Sequence, residues 1–255
     1  ALEMFQRVTY AEALYLSAEI LKESGKTREA LAAYRLLWER HPQYESKIVL
    51  ENLIRILEQG KQYQELLKYL DHYEKMFPYD LSIKIKKGQT LHSLGRKKEA
   101  YGILSSPSLP KKDPLVVKIL SDCAFSLGLY AEAVVYFEAL EKLSVEEKKN
   151  YIESLMKIYE FQKAAVLLKN YLEKEKIETK EEFSRIARQL IECHLQLAQL
   201  DEAMKVNVLL LSVEDSAENY MTLSQIYKQM GKPADALAAL RKASEKEPKM
   251  VQKLI

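Results

Sequence analysis

The residues best suited to metal or thiol chemistry are few in this sequence, and their spacing does not indicate a reactive site. They are four histidines and two cysteines: His41, His72, His92, His194, Cys123 and Cys193. No two histidines stand four residues apart, which is the spacing that places two ligands on one turn of a helix. Cys193 and His194 are adjacent, but adjacent helical residues point about 100° apart, so we do not expect them to bind one ion.

Other catalytic patterns are also missing from the sequence. There is no glycine-rich phosphate loop and no G-x-S-x-G elbow, and no pair of carboxylates stands out as an acid and its base. His194 falls on an apolar helical stripe, so we predict that it is a packing residue. We therefore predict that the protein is not an enzyme and has no metal site and no cofactor.

A second chemical pattern involves charge. Exposed base–acid pairs spaced i, i+4 stabilise a helix by only about 0.3–0.5 kcal/mol, and the base-first order is the less favourable one. Helix support is therefore a poor reason for a base-first pattern. The pattern indicates either a self-neutralised solvated surface or a row of charges that recognises a partner. It occurs three times, at Lys118–Asp122, Lys149–Glu153 and Arg188–Glu192.

The composition narrows the class of partner. The chain has 255 residues, of which 47% are hydrophobic and 30% charged, and its formal net charge is +2. Lysine and arginine are spread along the chain, so the sequence does not predict nucleic-acid binding. No apolar run approaches the roughly 20 residues that span a bilayer, so we do not predict direct membrane insertion.

The elements that would position these residues are clearest in residues 217–248, AENYMTLSQIYKQMGKPADALAALRKASEKEP. Tyr220, Ser224 and Tyr227 fall on one stripe, because helical neighbours recur every three to four residues. Gly231 tolerates the left-handed conformation that ends a helix. The spacing resembles the tetratricopeptide repeat, whose pattern is W-x2-L-G-x2-Y, then A-x3-F, then P.

The same unit recurs along the chain with a nearly constant period. Its predicted turns fall at Gly25, Gly60, Gly95, Gly128, Tyr159, Ala198 and Gly231. Their mean step is about 34 residues, which is the length of the tetratricopeptide repeat. The resemblance implies an all-α fold, a right-handed α-solenoid of about seven tandem helix-turn-helix repeats, with a concave groove lined by the first helix of each repeat.

The repeats predict a division of the chain. We expect an N-terminal capping extension over residues 1–10, repeats one to three over 11–113, repeats four to seven over 114–248, and the start of a further or capping helix over 249–255. The second repeat departs from the pattern. With its turn at Gly60, Leu53 and Glu65 stand where two small residues are expected.

A proline-rich segment separates the third repeat from the fourth. Pro107, Pro110 and Pro114 cannot all lie inside one helix, so the segment is either an irregular connection or a seam between two blocks. Few backbone hydrogen bonds can form there, and local opening should require little free energy. We predict that limited proteolysis cuts first near Lys111 and Lys112.

The resemblance implies that a ligand lies along the concave face, at the groove-facing positions of each first helix. Those positions predict an apolar zone and a charged zone. The apolar zone consists of Leu50, Ile54, Leu57 and Ile85. The charged zone consists of Lys118, Asp122, Lys149, Glu153, Arg185, Arg188 and Glu192.

These zones favour a non-enzymatic scaffold that binds a peptide, a helix or a protein surface in its groove. An amphipathic helix of mixed charge would suit the opposed rows of bases and acids. Family members that clamp a chaperone's terminal carboxylate carry Lys followed by Asn at these positions, but Asp122 and Glu153 replace the Asn here and would repel a carboxylate. The alternative is a structural assembly or oligomerisation module within a larger polypeptide or complex, which includes self-association.

The two cysteines give an expectation about the compartment. Cys123 and Cys193 fall at equivalent positions of the fourth and sixth repeats, so stacked helices would hold them too far apart for a disulfide. Two buried free thiols favour a reducing compartment such as the cytoplasm.

Overall fold

The helices of this protein come in consecutive pairs. The computed structural model describes residues 2–109, 113–174 and 177–247, with residues 2–9 described by their backbone alone. Within these ranges the chain forms fourteen α-helices and no strand. They are α1 (Leu2–Glu23), α2 (Thr27–Arg40), α3 (Ser46–Gln59), α4 (Tyr63–Met76), α5 (Leu81–Ser93), α6 (Lys97–Leu104), α7 (Pro114–Ser126), α8 (Tyr130–Glu138), α9 (Val145–Lys157), α10 (Phe161–Lys174), α11 (Lys180–Gln196), α12 (Leu200–Val213), α13 (Ala217–Gln229) and α14 (Pro233–Lys246). None of these fourteen is long and apolar enough to cross a lipid bilayer.

Odd-numbered helices are the first helices of seven pairs, and even-numbered helices are the second. This arrangement confirms the prediction of an all-α fold of tandem helix-turn-helix repeats. Because α1 begins at Leu2, the residues ahead of the first repeat continue its first helix. The further helix that we predict over 249–255 lies outside the described residues.

The chain divides into two compact units, one ending at Leu129 and one beginning at Tyr130. α7 belongs to the first unit, where it packs on α5 and α6. The division therefore does not coincide with the predicted boundary after residue 113. Lys111 and Lys112 lie outside the described residues, and the weak point at 105–114 stays a prediction.

Each unit buries aliphatic and aromatic side chains between its helices. Tyr34 and Leu70 are fully buried in the first unit, and Leu168 is buried in the second. Trp38 on α2 packs against the core of the first unit, and its ring centroid lies 5.7 Å from that of His72 on α4. Trp38 therefore lies between successive second helices and contributes to packing between repeats.

A single left-handed residue ends every first helix. In the first pair the Gly25 N–H donates to the Lys22 carbonyl at 3.1 Å, and the Lys26 N–H donates to the Leu21 carbonyl at 2.9 Å. These two bonds form a Schellman motif, which satisfies carbonyls that the helix end would leave unpaired. All seven pairs close with the same two bonds. The left-handed residues are Gly25, Lys61, Gly95, Gly128, Tyr159, Ala198 and Gly231.

Six of these seven positions are those that the sequence predicts, and the second pair differs by one residue. Gly60 has a right-handed φ of −78°, and Lys61, with φ +52°, closes the turn instead. The Gln62 N–H donates to the Leu57 carbonyl at 2.9 Å, so Leu57 has the role that Leu21 has in the first pair. The register of this turn therefore follows buried Leu57. Gly60 predicts a turn position that is one residue too early.

The corrected register changes which residues of the second repeat stand at the helix crossing. Counted from Lys61, the positions of Ala30 and Tyr34 in the first repeat fall on Leu66 and Leu70. Leu66 is 2% exposed and Leu70 fully buried. Glu65 therefore does not occupy a helix crossing, and its carboxylate instead accepts from Arg35 at 2.5 Å.

The tightest helix crossing in the third repeat depends on Gly88. A Cβ at this position would lie 2.8 Å from Cδ1 of Leu104 and closer still to its Cγ. Leu104 is itself fully buried and cannot move aside easily. A glycine inside α5 thus lets α6 approach closely.

We predict that Gly88→Ala destabilises the protein by about 1–3 kcal/mol through overpacking against Leu104. Gly102→Ala is the matched control, since Gly102 also lies in a helix and a Cβ there meets nothing within 4 Å. That control should stabilise by about 0.5–1 kcal/mol, the ordinary helical preference for alanine. Urea unfolding measures both variants, and a Gly88→Ala protein as stable as the wild type would contradict the close approach.

We predict opposite effects at two equivalent turns of the second unit. Ala198 has φ +55° and Gly231 has φ +70°. Because left-handed backbone is unfavourable for residues with a Cβ, Ala198→Gly should stabilise by about 0.5–1 kcal/mol. Gly231→Ala should destabilise by about 1 kcal/mol. Thermal melts measure both, and a shift of the same sign in the two variants would contradict the shared turn geometry.

Candidate functional site

The predicted apolar zone does not form a surface. Leu50 and Leu57 are fully buried and Ile54 is 3% exposed, all within the core of the first unit, while Ile85 is half-buried. The cause is the shift of one residue at Gly60, which moves a core stripe of α3 onto the groove-facing positions. These three buried residues offer no surface to a partner.

Charged residues occupy the corrected groove-facing positions of α3. Glu51 and Arg55 are exposed, and Glu58 Oε2 lies 2.7 Å from Lys86 Nζ on α5. These side chains line a pocket of about 320 Å³ between α3 and α5, and Ile54 contributes only to its floor. The groove-facing positions of α3 are therefore polar, contrary to the prediction.

Two of the three predicted bases of the second unit, Lys149 and Arg188, form ion pairs with acids of the neighbouring repeat. Lys149 Nζ lies 3.0 Å from Oε1 of Glu182, at the start of α11. The hydrogen bond from Lys149 lowers the pKa of the Glu182 carboxyl despite some opposing desolvation. Arg188 Nη2 lies 2.6 Å from Glu214 and 3.5 Å from Glu218. Lys149 and Arg188 thus join successive repeats.

The remaining predicted base–acid pair is Lys118–Asp122, in the first unit. Its acid, Asp122, also connects two successive repeats. Its Oδ2 lies 2.6 Å from His92 Nε2 on α5 and 2.8 Å from Lys97 Nζ on α6, while Lys118 is exposed. Desolvation opposes ionisation of Asp122, but the hydrogen bonds from Lys97 and His92 prevail and lower its pKa. Asp122 therefore holds α7 against the preceding pair.

The side chains around Asp122 include residue types that can bind a metal ion, but their surroundings oppose metal binding. Ligand atoms of His92, Asp122 and Cys123 lie within 4.8 Å of one another. However, the Lys97 ammonium already occupies the Asp122 carboxylate, and burial raises the pKa of the Cys123 thiol to about 11. A cation beside a protonated thiol opposes metal binding, because thiol ligands must be deprotonated.

The remaining candidate residues are packing residues. Cys123 and Cys193 are buried free thiols, and burial raises the pKa of Cys193 to about 12. His194 is 9% exposed, and its Nδ1 lies 2.8 Å from Oε1 of Gln199. The prediction that His194 is a packing residue is confirmed.

Three of the predicted site residues do come together. Lys149, Glu153 and Arg185 line one pocket of about 300 Å³ between α9 and α11, called here the α9–α11 pocket. Its other lining residues are Glu146, Asn150, Ile152, Leu168, Tyr171, Ile186 and Gln189. Arg188 and Glu192 do not line it.

The amides of this pocket, Asn150 and Gln189, are not among the residues that the sequence predicts for the site. Asn150 and Gln189 each follow a predicted base, Lys149 or Arg188, by one residue, so a broader helical stripe would have included them. An amide side chain both donates and accepts hydrogen bonds, which suits the backbone of a bound peptide. Together with Glu153 and Arg185, the amides give the pocket neutral, acidic and basic contacts.

Family comparisons agree with the repeat geometry. Residues 12–44 and residues 217–249 each match a family model of the tetratricopeptide repeat. These two segments of the chain are therefore tetratricopeptide repeats. The matched segments are the first and last of the seven predicted repeats, whose small and large residues keep the pattern best. No curated protein matches the sequence.

Solved structures of tetratricopeptide repeat proteins resemble this one in fold. YrrB, described as having an unusual peptide-binding site, matches with a TM-score of 0.52 and 17% identity, over 71% of this chain and 94% of its own. A MamA structure labelled MSR-1 matches with a TM-score of 0.50 and 18% identity, over 66% of this chain and 96% of its own. The predicted fold class, an all-α helical repeat solenoid, is confirmed.

We predict that Asp122 makes stability depend on pH. Because its pKa is lowered in the folded protein, its contribution is present above the unfolded value of about 3.9 and is lost as pH falls through the folded value. Asp122→Asn should therefore destabilise the protein at pH 7 and much less at pH 3. Thermal melts at the two pH values measure the difference, and an equal loss at both would contradict the ion-pair role.

Proposed function

We propose that this tetratricopeptide repeat protein is a non-enzymatic scaffold that binds a segment of another protein at the α9–α11 pocket. The observation that carries the proposal is the convergence of Lys149, Glu153 and Arg185 on one open polar pocket. The segment carries both charges, as an amphipathic helix of mixed charge would. YrrB, with a similar fold, is described as having a peptide-binding site, which supports a protein ligand for this chain.

The ion pairs between repeats decide which charges are available to the partner. Lys149 is engaged by Glu182, and Arg188 by Glu214 and Glu218. Exposed Glu153 and Arg185 make no ion pair within the described part of the chain. The partner therefore places a base toward Glu153 and an acid toward Arg185, without breaking bonds inside the scaffold.

We predict that the double charge reversal Glu153→Lys with Arg185→Glu weakens partner capture about tenfold. Each exposed ion pair contributes about 0.2–1 kcal/mol, and reversal turns each attraction into repulsion. Affinity capture from a lysate, with quantitative mass spectrometry, identifies the partner on the wild type. The same partner is then titrated against both proteins.

A matched double reversal provides the control. Glu132→Lys with Arg241→Glu changes exposed residues of second helices by the same charges. This control should retain the partner, and both double variants should melt within a few degrees of the wild type because all four residues are exposed. Equal capture by all three proteins would place the binding surface elsewhere.

Self-association is the alternative function, and one apolar stripe favours it. Leu16 is 52% exposed and Ile20 63% exposed, and they lie one turn apart on α1. Light scattering after size-exclusion chromatography distinguishes the alternatives. A dimer that depends on concentration and is lost in Ile20→Lys supports the assembly module, whereas a monomer supports the scaffold.

A further inference from the structure

One second helix in the second unit is unusually short. α10, α12 and α14 each have 14 residues, whereas α8 has nine and ends at Glu138. At 1.5 Å per residue, five missing residues correspond to roughly 7.5 Å of helix. The chain leaves α8 through a tight turn, in which the Leu140 N–H donates to the Phe137 carbonyl at 3.2 Å.

The end of α8 borders an open space. A pocket of about 590 Å³ lies among the end of α8, the connection that follows it, α9 and α10. Buried Phe137, Ile152 and Tyr171 contribute to its lining, together with half-buried Leu140, Tyr151 and Leu167. We call this space the α8-end pocket. It is larger and more apolar than the α9–α11 pocket, and the two share only Ile152 and Tyr171 among their lining residues.

The other short second helix, α6, is followed by a segment that buries a leucine. α6 has eight residues, and Leu109 in the segment after it is only 3% exposed. The connection after α8 instead leaves Leu140 and Leu143 half-buried along the wall of an open pocket. An apolar cavity of this size that opens to solvent is typical of a binding site.

The rim of the α8-end pocket carries both charges. Glu141 and Lys174 are exposed and line the pocket, and neither makes an ion pair within the described residues. Glu138 is already engaged, since it accepts from Lys163 at 2.9 Å and from the Tyr151 hydroxyl at 3.0 Å. Lys148 also lines the pocket, but it is half-buried and already has a partner. The exposed rim charges that remain for a ligand are therefore one acid and one base, beside an apolar floor.

We propose that the α8-end pocket binds an amphipathic helical segment of a protein partner, which supplies in trans the apolar turns that α8 lacks. Two apolar side chains one turn apart enter the pocket, since residues at i and i+4 lie on the same helical face. A basic side chain of the segment meets Glu141 and an acidic one meets Lys174. This second docking site shares Ile152 and Tyr171 with the α9–α11 pocket, but its rim charges are different residues.

Synthetic peptides test the proposal directly. Three labelled helical peptides share one pair of leucines at i, i+4 and differ in their flanking charges, which are mixed, all acidic or all basic. A fourth peptide has the mixed composition with its leucines on opposite faces. Fluorescence anisotropy measures their binding to the full chain, whose net charge of +2 gives little overall preference for either sign.

The wild type should bind the mixed peptide about fivefold more tightly than either single-sign peptide, the effect expected of one exposed ion pair. It should bind the fourth peptide at least about tenfold more weakly, because only one leucine can then enter the pocket. The order of the peptide affinities should change when a rim charge is reversed. Lys174→Glu should make the basic peptide the tightest, and Glu141→Lys should make the acidic peptide the tightest.

Three further variants distinguish binding at the α8-end pocket from binding at another surface of the protein. Lys228→Glu changes an exposed charge on α13 and should leave the wild-type ranking unchanged. Arg185→Glu should also leave it unchanged, so failure of the α9–α11 site and failure of this one are distinguishable. Leu140→Asp should weaken the binding of all three peptides whose leucines stand at i, i+4. A thermal melt verifies that this variant is folded.

Two outcomes would overturn the proposal. One is equal binding of the mixed peptide and the peptide with separated leucines. The other is a ranking that stays the same in Lys174→Glu and Glu141→Lys. Both rim residues are exposed, so these two variants test the proposal even where Leu140→Asp reduces stability.

Discussion

The left-handed residue that ends each first helix determines where every other residue of its repeat lies. Its N–H and that of the following residue close two hydrogen bonds onto the last turn, and they do so in all seven pairs. Because the turn is fixed, the small residue of the next helix meets the first helix at a constant offset, as Ala30, Ala100, Ala164 and Ala236 do. A shift of one residue in the turn moves every position of the repeat by about 100° around the helix axis. This angle is enough to exchange a core stripe for a surface stripe.

Ion pairs between successive repeats form a second constraint. Three of these pairs each join two repeats that belong to the same unit: Lys86 with Glu58, Asp122 with Lys97, and Lys149 with Glu182. Each pair is partly exposed and stabilises the fold only modestly. Their larger consequence is for recognition, since a charge that already has a partner inside the protein is less available to a ligand.

Repeats that bury their faces only against neighbours can vary locally without loss of the fold. The second unit uses this freedom at α8, where a shortened second helix leaves an apolar pocket, while the first helices α9 and α11 border a polar one. A scaffold with an apolar and a polar site can distinguish partners by chemistry as well as by shape.

The sequence by itself determined the helical pairs, their number and most of their turns, because amphipathic stripes and left-handed glycines are local signals. It also indicated that His194 and the two cysteines are buried. The tertiary structure decided the register at Lys61, where a lysine adopts φ +52° and Leu57 and Leu70 are buried on either side of the turn. It likewise decided which acid each base meets, because Glu182 and Glu214 are distant in sequence from their partners and are brought close only by the stacking of repeats.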